Sequence, residues 1–215
     1  MYFEERIPGV RPRCLLLQPT ARHEAPALEA ELAAISAASD VPFAAGLLHV
    51  DGWDVDLMPW PDRKISRDER AGYCAGQSLR FILDEVLPRY PGLPVILGGY
   101  SLAGLFALWA AMQCDAFAAV AAASPSLWIE GWVPYAREHA PRTRDVYLSL
   151  GDREEVAKNA AIARVGDCVR TQDALLRGQL GPEHCTLVWE QGGHFSDNAE
   201  RLARAFAWCL GRLDL

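Results

Sequence analysis

The feature that most constrains the fold is a recurring pair, an uninterrupted apolar run followed by a segment with helical spacing. The six clearest runs lie at 14–18, 43–50, 94–98, 117–123, 145–150 and 185–189. Strands that are apolar on both faces are typical of a parallel sheet covered by helices on both sides, whereas half-exposed strands alternate apolar and polar residues. The pattern therefore predicts a compact α/β fold with a mostly parallel sheet of about six to seven strands, one of them an edge strand at 2–6.

Helix-like segments separate these runs. They lie at 25–38, 70–87, 102–113 and 199–213, with a further one whose apolar face runs from Ile162 to Leu176. In the second segment we expect Tyr73 on the buried face, and Pro88 ends the helix because proline has no backbone N–H to donate. The alternation of strands and helices predicts crossover connections, with helices on both faces of the sheet.

Length and charge limit the protein's organisation and its partners. A chain of 215 residues, 51% of them hydrophobic, suits a single domain that spans 1–215. The net charge is −7 and the chain has no basic block. These features argue against nucleic acid and anionic membrane surfaces as partners, because both attract clustered positive charge.

The N-terminal residues and the cysteines indicate a cytoplasmic location. Residues 1–8 lack the basic and apolar regions of a secretory signal, and no run of about 18 apolar residues predicts a transmembrane helix. The six cysteines lie far apart and form no cluster with histidines. We therefore expect reduced thiols and no metal site.

The sequence Gly-Tyr-Ser-Leu-Ala-Gly at 99–104 stands between a predicted strand and a predicted helix. A serine in such a sharp turn holds its hydroxyl above the sheet, and the common pattern is G-x-S-x-G, with Ala103 here in place of the last glycine. We predict that Ser101 is a nucleophile and that the N–H of Leu102 donates to a developing oxyanion. The alternative is a serine that only caps the helix.

A serine nucleophile needs a base, and imidazole titrates near neutral pH. Of the histidines that follow Ser101, His139 lies in a polar stretch and His184 precedes a strand, at the opposite edge of the sheet. His194 follows the last predicted strand, and reactive groups of parallel sheets gather at the carboxyl ends of strands. We predict that His194 is the base; the alternative is an exposed loop histidine.

The acid of a serine–histidine–acid arrangement is expected after the preceding strand. Residues 151–155 read Gly-Asp-Arg-Glu-Glu. The common spacing, three residues beyond the glycine, favours Glu154. Asp152 and Glu155 remain alternatives at this stage.

A second oxyanion donor is expected in the loop after the first central strand. Pro19 has no N–H, so Thr20 or Ala21 is the predicted donor. Pocket walls are predicted from Trp53 and Trp60, in a segment that we expect beside the nucleophile strand, and from Trp128. The alternative is that these aromatics cap the ends of the sheet.

Several segments are similar to a known group of proteins. Residues 99–109, 123–128, 148–155, 193–195 and 53–60 resemble small bacterial esterases of the α/β-hydrolase superfamily, near the esterase D and enterochelin-esterase-like branch. The resemblance covers 14–210 and implies an α/β-hydrolase fold with Ser101 as nucleophile and His194 as base. It leaves the acid open, because some members of that branch work with a serine–histidine dyad. It also implies a compact hydrolase without a lid domain and with an open site.

The leading hypothesis is a serine hydrolase that cleaves carboxylic esters of small molecules through an acyl-serine intermediate, with no cofactor. A thioesterase or acyl-transfer enzyme would use the same serine. A non-catalytic ligand-binding module is a third hypothesis, and it predicts that the Ser101 hydroxyl and the His194 ring are not within about 3–3.5 Å of each other. The expected partner is a small-molecule ester, and a homodimer is left open.

Overall fold

A computed structural model describes residues 1–6, 11–21 and 25–214. In these residues seven strands form one sheet, in the order β1-β3-β2-β4-β5-β6-β7. The strands are β1 (Tyr2–Arg6), β2 (Cys14–Thr20), β3 (Phe43–His49), β4 (Val95–Tyr100), β5 (Ala119–Ala123), β6 (Asp145–Gly151) and β7 (Cys185–Glu190). The edge strand β1 runs antiparallel to β3, and the other neighbours are parallel. The mostly parallel α/β fold is confirmed.

Helices cover both faces of the sheet, as predicted. They are α1 (Ala25–Ala38), α2 (Trp53–Leu57), α3 (Ala75–Phe81), α4 (Leu102–Gln113), α5 (Trp132–Glu138), α6 (Ala160–Ala163), α7 (Val165–Leu180) and α8 (Asn198–Leu210). One apolar cluster packs α1 and α8 against the sheet, and a second packs α3, α4, α5 and α7 against the other face. The central strands are apolar throughout because both of their faces lie in these clusters.

The strand that precedes Ser101, β4, contains two adjacent glycines where helices pack closely on the sheet. A Cβ added to Gly98 would lie 2.4 Å from Cζ of Phe206 on α8, well inside contact distance. The next strand, β5, consists of alanine and valine. Small residues thus let α8 and α4 approach the centre of the sheet closely. Both helices begin at the carboxyl edge because each follows the end of a parallel strand.

The predicted helix at 70–87 is wrong in its first turns. Gly72 has φ +87°, outside the helical region, and α3 begins only at Ala75. A Cβ at Gly72 would lie 2.1 Å from the backbone of Trp60, so this turn packs tightly on the preceding loop. Tyr73 is therefore 66% exposed instead of buried. After α3 the chain continues as a π-helical turn at Ile82–Val86 and a 3₁₀ turn at Leu87–Arg89.

The segment after β3 also departs from the prediction. It opens with the short helix α2, and β3 is separated from the nucleophile strand β4 by β2, so the two strands are not neighbours. Helix α5 was not predicted, since seven residues with Pro134 among them give no measurable helical period. The predicted helix around 162–176 is divided into α6 and α7.

Two findings bear on location and redox state. No helix in the described part of the chain is long and apolar enough to cross a membrane. All six cysteines are free thiols, and Cys14, Cys168, Cys185 and Cys209 are buried. Burial raises the pKa of the Cys14 thiol to about 12, which keeps it protonated and unreactive at neutral pH.

Candidate active site

Ser101 occupies a strained turn between β4 and α4. Its φ of 57° and ψ of −118° lie outside the regions that a serine normally adopts. Backbone hydrogen bonds hold it there: the Ser101 N–H donates to the Ala123 carbonyl at 3.0 Å, and the Ser101 carbonyl accepts from Ser126 at 3.1 Å. Strain of this kind persists only where the surroundings fix the backbone, and it is common at reactive sites.

The packing of the turn explains why alanine can stand at 103. A Cβ on Gly99 would lie 2.5 Å from the Ala103 Cβ, so the methyl of Ala103 fills the space that the missing side chain of Gly99 leaves. A Cβ on Gly104 would lie 2.9 Å from the Gly99 carbonyl oxygen. The turn therefore needs glycine at 99 and 104 and accepts one methyl at 103.

The His194 ring lies against the Ser101 hydroxyl. Nε2 of His194 is 2.9 Å from Oγ of Ser101, a hydrogen-bond distance. The hydroxyl of Tyr100 donates to the His194 carbonyl at 2.7 Å, which fixes the loop that follows β7. The binding-module hypothesis expected a longer separation of serine and histidine, and this expectation is not met.

Glu154 contacts the other nitrogen of the histidine. Its Oε2 lies 2.7 Å from Nδ1 of His194. Its Oε1 accepts from the Gly151 N–H and from the Ser124 hydroxyl, each at 2.8 Å. Burial by itself raises the pKa of this carboxyl, but the hydrogen bonds from His194, Gly151 and Ser124 outweigh burial, and the pKa lies below its ordinary value. Glu154 is thus held as a carboxylate.

The two alternative acids point elsewhere. Asp152 accepts from the Gly192 N–H at 2.9 Å. Glu155 forms an ion pair with Arg170 at 2.8 Å. Of the three acids considered, Glu154 is the one in contact with His194.

Arg201 is a functional candidate that the sequence interpretation missed. This α8 residue is fully buried, and its Nη1 lies 3.3 Å from Oε1 of Glu154 and 3.2 Å from the Tyr100 hydroxyl. Its Nη2 donates to the Gln191 carbonyl at 2.8 Å. A signal was available: Arg201 falls on the helix face that also carries Ala205, four residues on, where a charge is unexpected.

Ser126 is a second missed residue. Its hydroxyl oxygen lies 3.1 Å from Oγ of Ser101, and the residue is 7% exposed. The sequence interpretation treated 124–128 only as a wall of the pocket. A lone serine after a strand gives no signal that would single it out.

Two cavities flank the Ser101–His194 pair. The first, of about 440 Å³, is lined by Gln18, Thr20 and Trp53 besides the pair, and we call it the Gln18 cavity. The second, of about 290 Å³, is lined by Trp128 with Pro125, Ile162 and Val165, and we call it the Trp128 cavity. Trp53 and Trp128 therefore each line a cavity that also contains the pair.

The placement predicted for Trp60 is wrong. Its indole N–H donates to the Glu130 carbonyl at 2.7 Å, and its ring packs on Trp132 and Tyr135. It lines a separate surface cavity that includes Lys64 and neither Ser101 nor His194. The Trp60 indole packs on α5, and the sequence did not predict this contact.

The two predicted oxyanion donors lie close to Ser101. Leu102 is the first residue of α4, and a first-turn N–H has no acceptor within its helix. Thr20 is the last residue of β2 and lines the Gln18 cavity beside Ser101. Their roles remain predictions.

Comparisons with known proteins show the fold. No protein-family model matches the chain, and no curated protein gives a significant match to its sequence. Solved structures do match. The siderophore hydrolase EstB from Aspergillus nidulans has a TM-score of 0.75 and 19% identity, over 99% of this chain and 90% of that chain.

Two further structures have the same fold. An IroE-like serine hydrolase from Shewanella oneidensis has a TM-score of 0.69 and 14% identity, over 96% of this chain and 74% of that one. The enterobactin esterase FES from Shigella flexneri has a TM-score of 0.69 and 17% identity, over 98% of this chain and 55% of that one. The predicted fold is confirmed, and the structures that share it include a siderophore hydrolase and an enterobactin esterase, as the resemblance in sequence implied.

Proposed function

We propose that this protein is a serine hydrolase that cleaves carboxylic esters through an acyl-serine intermediate. The observation that carries the proposal is the chain of hydrogen bonds from Ser101 Oγ to His194 Nε2, at 2.9 Å, and from His194 Nδ1 to Glu154, at 2.7 Å. A serine hydroxyl is a weak nucleophile, and a positioned imidazole with a buried carboxylate behind it is the usual means of activating one.

In the acylation step, His194 Nε2 accepts the hydroxyl proton while Ser101 Oγ attacks the ester carbonyl. The carboxylate of Glu154 holds the imidazole in the tautomer with a free Nε2 and stabilises the imidazolium that forms. The imidazolium then gives its proton to the departing alcohol oxygen, and the acyl group stays on Ser101. In deacylation His194 takes a proton from water as the water attacks the acyl carbon. The imidazolium then returns the proton to Ser101 Oγ as the bond between Oγ and the acyl carbon breaks and the carboxylic acid leaves.

The negative charge on the carbonyl oxygen needs donors. The N–H of Leu102 supplies one at the positive end of the α4 helix, where the helix dipole also favours a negative charge. A backbone N–H at Thr20 or Ala21 supplies the second. The hydroxyl of Ser126 contacts Ser101 Oγ and holds the nucleophile in place between attacks.

The structural neighbours support ester chemistry. They are a siderophore hydrolase, a serine hydrolase and an enterobactin esterase. A thioesterase would use the same residues. Whether the enzyme prefers oxygen esters or thioesters is tested by comparing kcat/KM on p-nitrophenyl esters with kcat/KM on acyl-CoA thioesters of the same chain length. We expect the oxygen esters to be preferred.

The experiment that tests the function is covalent labelling with a fluorophosphonate probe. We expect wild type to label on Ser101 and Ser101→Ala not to label, while both retain the same circular-dichroism spectrum. Ser36→Ala, a change at an exposed serine on α1, is the matched control and labels as wild type does. Equal labelling of wild type and Ser101→Ala would mean that the hydrolase proposal is wrong.

A further inference from the structure

The carboxyl end of β2 places two polar side chains in the wall of the Gln18 cavity. Gln18 and Thr20 are two residues apart on the strand, so they share one face of the sheet. Leu16 shares that face and lies in the apolar cluster under α1 and α8. The face therefore changes from apolar to polar at the point where it reaches Ser101.

Both polar side chains are buried, and one oxygen of each has no hydrogen-bond partner among the described residues. Gln18 is 7% exposed and Thr20 is 2% exposed. Within the described residues, Gln18 Oε1 and Thr20 Oγ1 accept or donate no hydrogen bond. A buried polar group that lacks a partner destabilises the fold, so leucine and valine would stabilise the empty fold better at these positions.

Both residues line the cavity that contains the nucleophile. The lining of the Gln18 cavity also includes Ser101, His194 and Trp53. The Trp128 cavity is mostly apolar in its exposed surface, and its lining includes Pro125, Ile162 and Val165 together with the polar Ser124, Ser126 and Arg153. A bound ester would therefore meet buried hydrogen-bonding groups in the first cavity and mainly apolar surface in the second.

Resting on the proposed hydrolase function, we propose that the Gln18 cavity is a subsite for a hydroxyl group of the substrate. A hydroxyl can donate to the buried Gln18 oxygen and exchange a hydrogen bond with the Thr20 hydroxyl, and so it satisfies both unpaired atoms. The substrate class is then a carboxylic ester with a hydroxyl near the scissile bond on one portion and a compact apolar group on the other.

Two pairs of esters that exchange a hydroxyl for a methyl test this subsite. One pair is 2-hydroxyethyl butanoate and propyl butanoate, with the change in the alcohol portion. The other is ethyl 3-hydroxybutanoate and ethyl 3-methylbutanoate, with the change in the acyl portion. For wild type we expect kcat/KM to favour the hydroxyl member of one pair by about tenfold or more, because the methyl leaves the buried groups unpaired. The pair that shows the preference tells which portion enters the cavity.

The variant Gln18→Met keeps the length of the side chain and removes its amide. We expect it to lose most of the preference through a higher KM for the hydroxyl ester, with the methyl ester hydrolysed as well as or better than before. Thr20→Val removes the second group and supplies an independent test should Gln18→Met fail to fold. Gln77→Met, at an exposed position on α3, is the matched control and keeps the preference.

Fluorophosphonate labelling separates failure of the subsite from failure of the function. If wild type labels on Ser101 and hydrolyses both pairs, but hydroxyl and methyl members react within about twofold of each other, the subsite proposal is overturned and the hydrolase proposal stands. The same holds if Gln18→Met and Thr20→Val keep the wild-type preference. If wild type does not label at all, the hydrolase proposal itself fails.

Discussion

Glu154 is the residue on which most contacts of the site converge. One oxygen of its carboxylate holds His194, and the other accepts from a backbone N–H, a hydroxyl and a guanidinium. A carboxylate held on both oxygens keeps the imidazole in one orientation. Asp152 and Glu155 lack these contacts, although they lie within two residues of Glu154 in the sequence.

Replacing Glu154 with glutamine removes the charge and keeps the shape. We expect kcat to fall by about 10²–10⁴-fold with little change in KM, because an amide permits the wrong tautomer and does not stabilise the imidazolium. Steady-state kinetics on a p-nitrophenyl ester checks this. Asp152→Asn is the control and should retain nearly full activity; if it instead shows the larger loss, the acid has been misassigned.

Arg201 is inferred to act through Glu154, as a positioning residue. Arg201→Met leaves a buried carboxylate without its cation, and we expect a loss of about 3–5 kcal/mol in the free energy of unfolding. Activity of the folded fraction should fall through kcat, and the acid limb of the pH–rate profile should move to higher pH, because loss of the cation beside Glu154 makes protonation of that carboxylate easier. Arg201→Lys should recover part of the lost stability and part of the lost activity. A purely structural role would lower stability and leave the pH profile in place.

At the scale of elements, the strand–turn–helix unit around Ser101 depends on close packing. Gly99→Ala puts a methyl within 2.5 Å of the Ala103 Cβ and 2.6 Å of its backbone carbon. We expect a loss of about 1–3 kcal/mol or more in stability, seen as a lower Tm, together with reduced activity because α4 must shift. Thermal melts and kinetics on the same preparation measure the Tm and the activity.

Gly178→Ala on α7 is the control for that substitution. A Cβ at Gly178 meets nothing within 4 Å, and the residue is exposed. Alanine has the higher helix propensity, so we expect a gain of about 0.5–1 kcal/mol with unchanged activity. Equal effects of the two substitutions would contradict the packing described for the turn.

The elements show which parts of the fold were readable in the sequence. Strands buried on both faces are continuous apolar runs, and all were found, as was α4 with its bounds. The start of α3 was misjudged because one glycine, Gly72, takes a positive φ inside an otherwise helical pattern. Trp53 and Trp60 have the same local sequence character, and only packing against α5 separates the one at the site from the one outside it.

At the scale of the whole molecule, the site is assembled from loops that are distant in sequence. Ser101, Glu154 and His194 follow β4, β6 and β7, whose carboxyl ends lie at one edge of the sheet. Parallel topology made this convergence predictable from strand order alone. The unpaired oxygens of Gln18 and Thr20 were not predictable, since their significance depends on which side chains the packed helices leave without a partner.

The buried carboxylate also couples the site to global stability. The pKa of Glu154 lies below its ordinary value of 4.5, so its ionisation stabilises the folded state at higher pH. That stabilisation is complete above the ordinary value and is lost as the pH falls through the lower value of the folded state. As the pH falls below the ordinary value of 4.5, the unfolding free energy of wild type should fall more steeply than that of Glu154→Gln. If urea melts gave the same dependence of the unfolding free energy on pH for wild type and Glu154→Gln, this would be contradicted.

The most direct test of the central claim is to trap the acyl group on the enzyme. Wild type is mixed with excess p-nitrophenyl butanoate, quenched in acid during the first turnovers, and digested for peptide mass spectrometry. The acyl-serine mechanism predicts a burst of p-nitrophenol and one butanoyl group on the peptide that carries Ser101, with both absent in Ser101→Ala. An adduct on another residue, or turnover by Ser101→Ala at the wild-type rate, would contradict it.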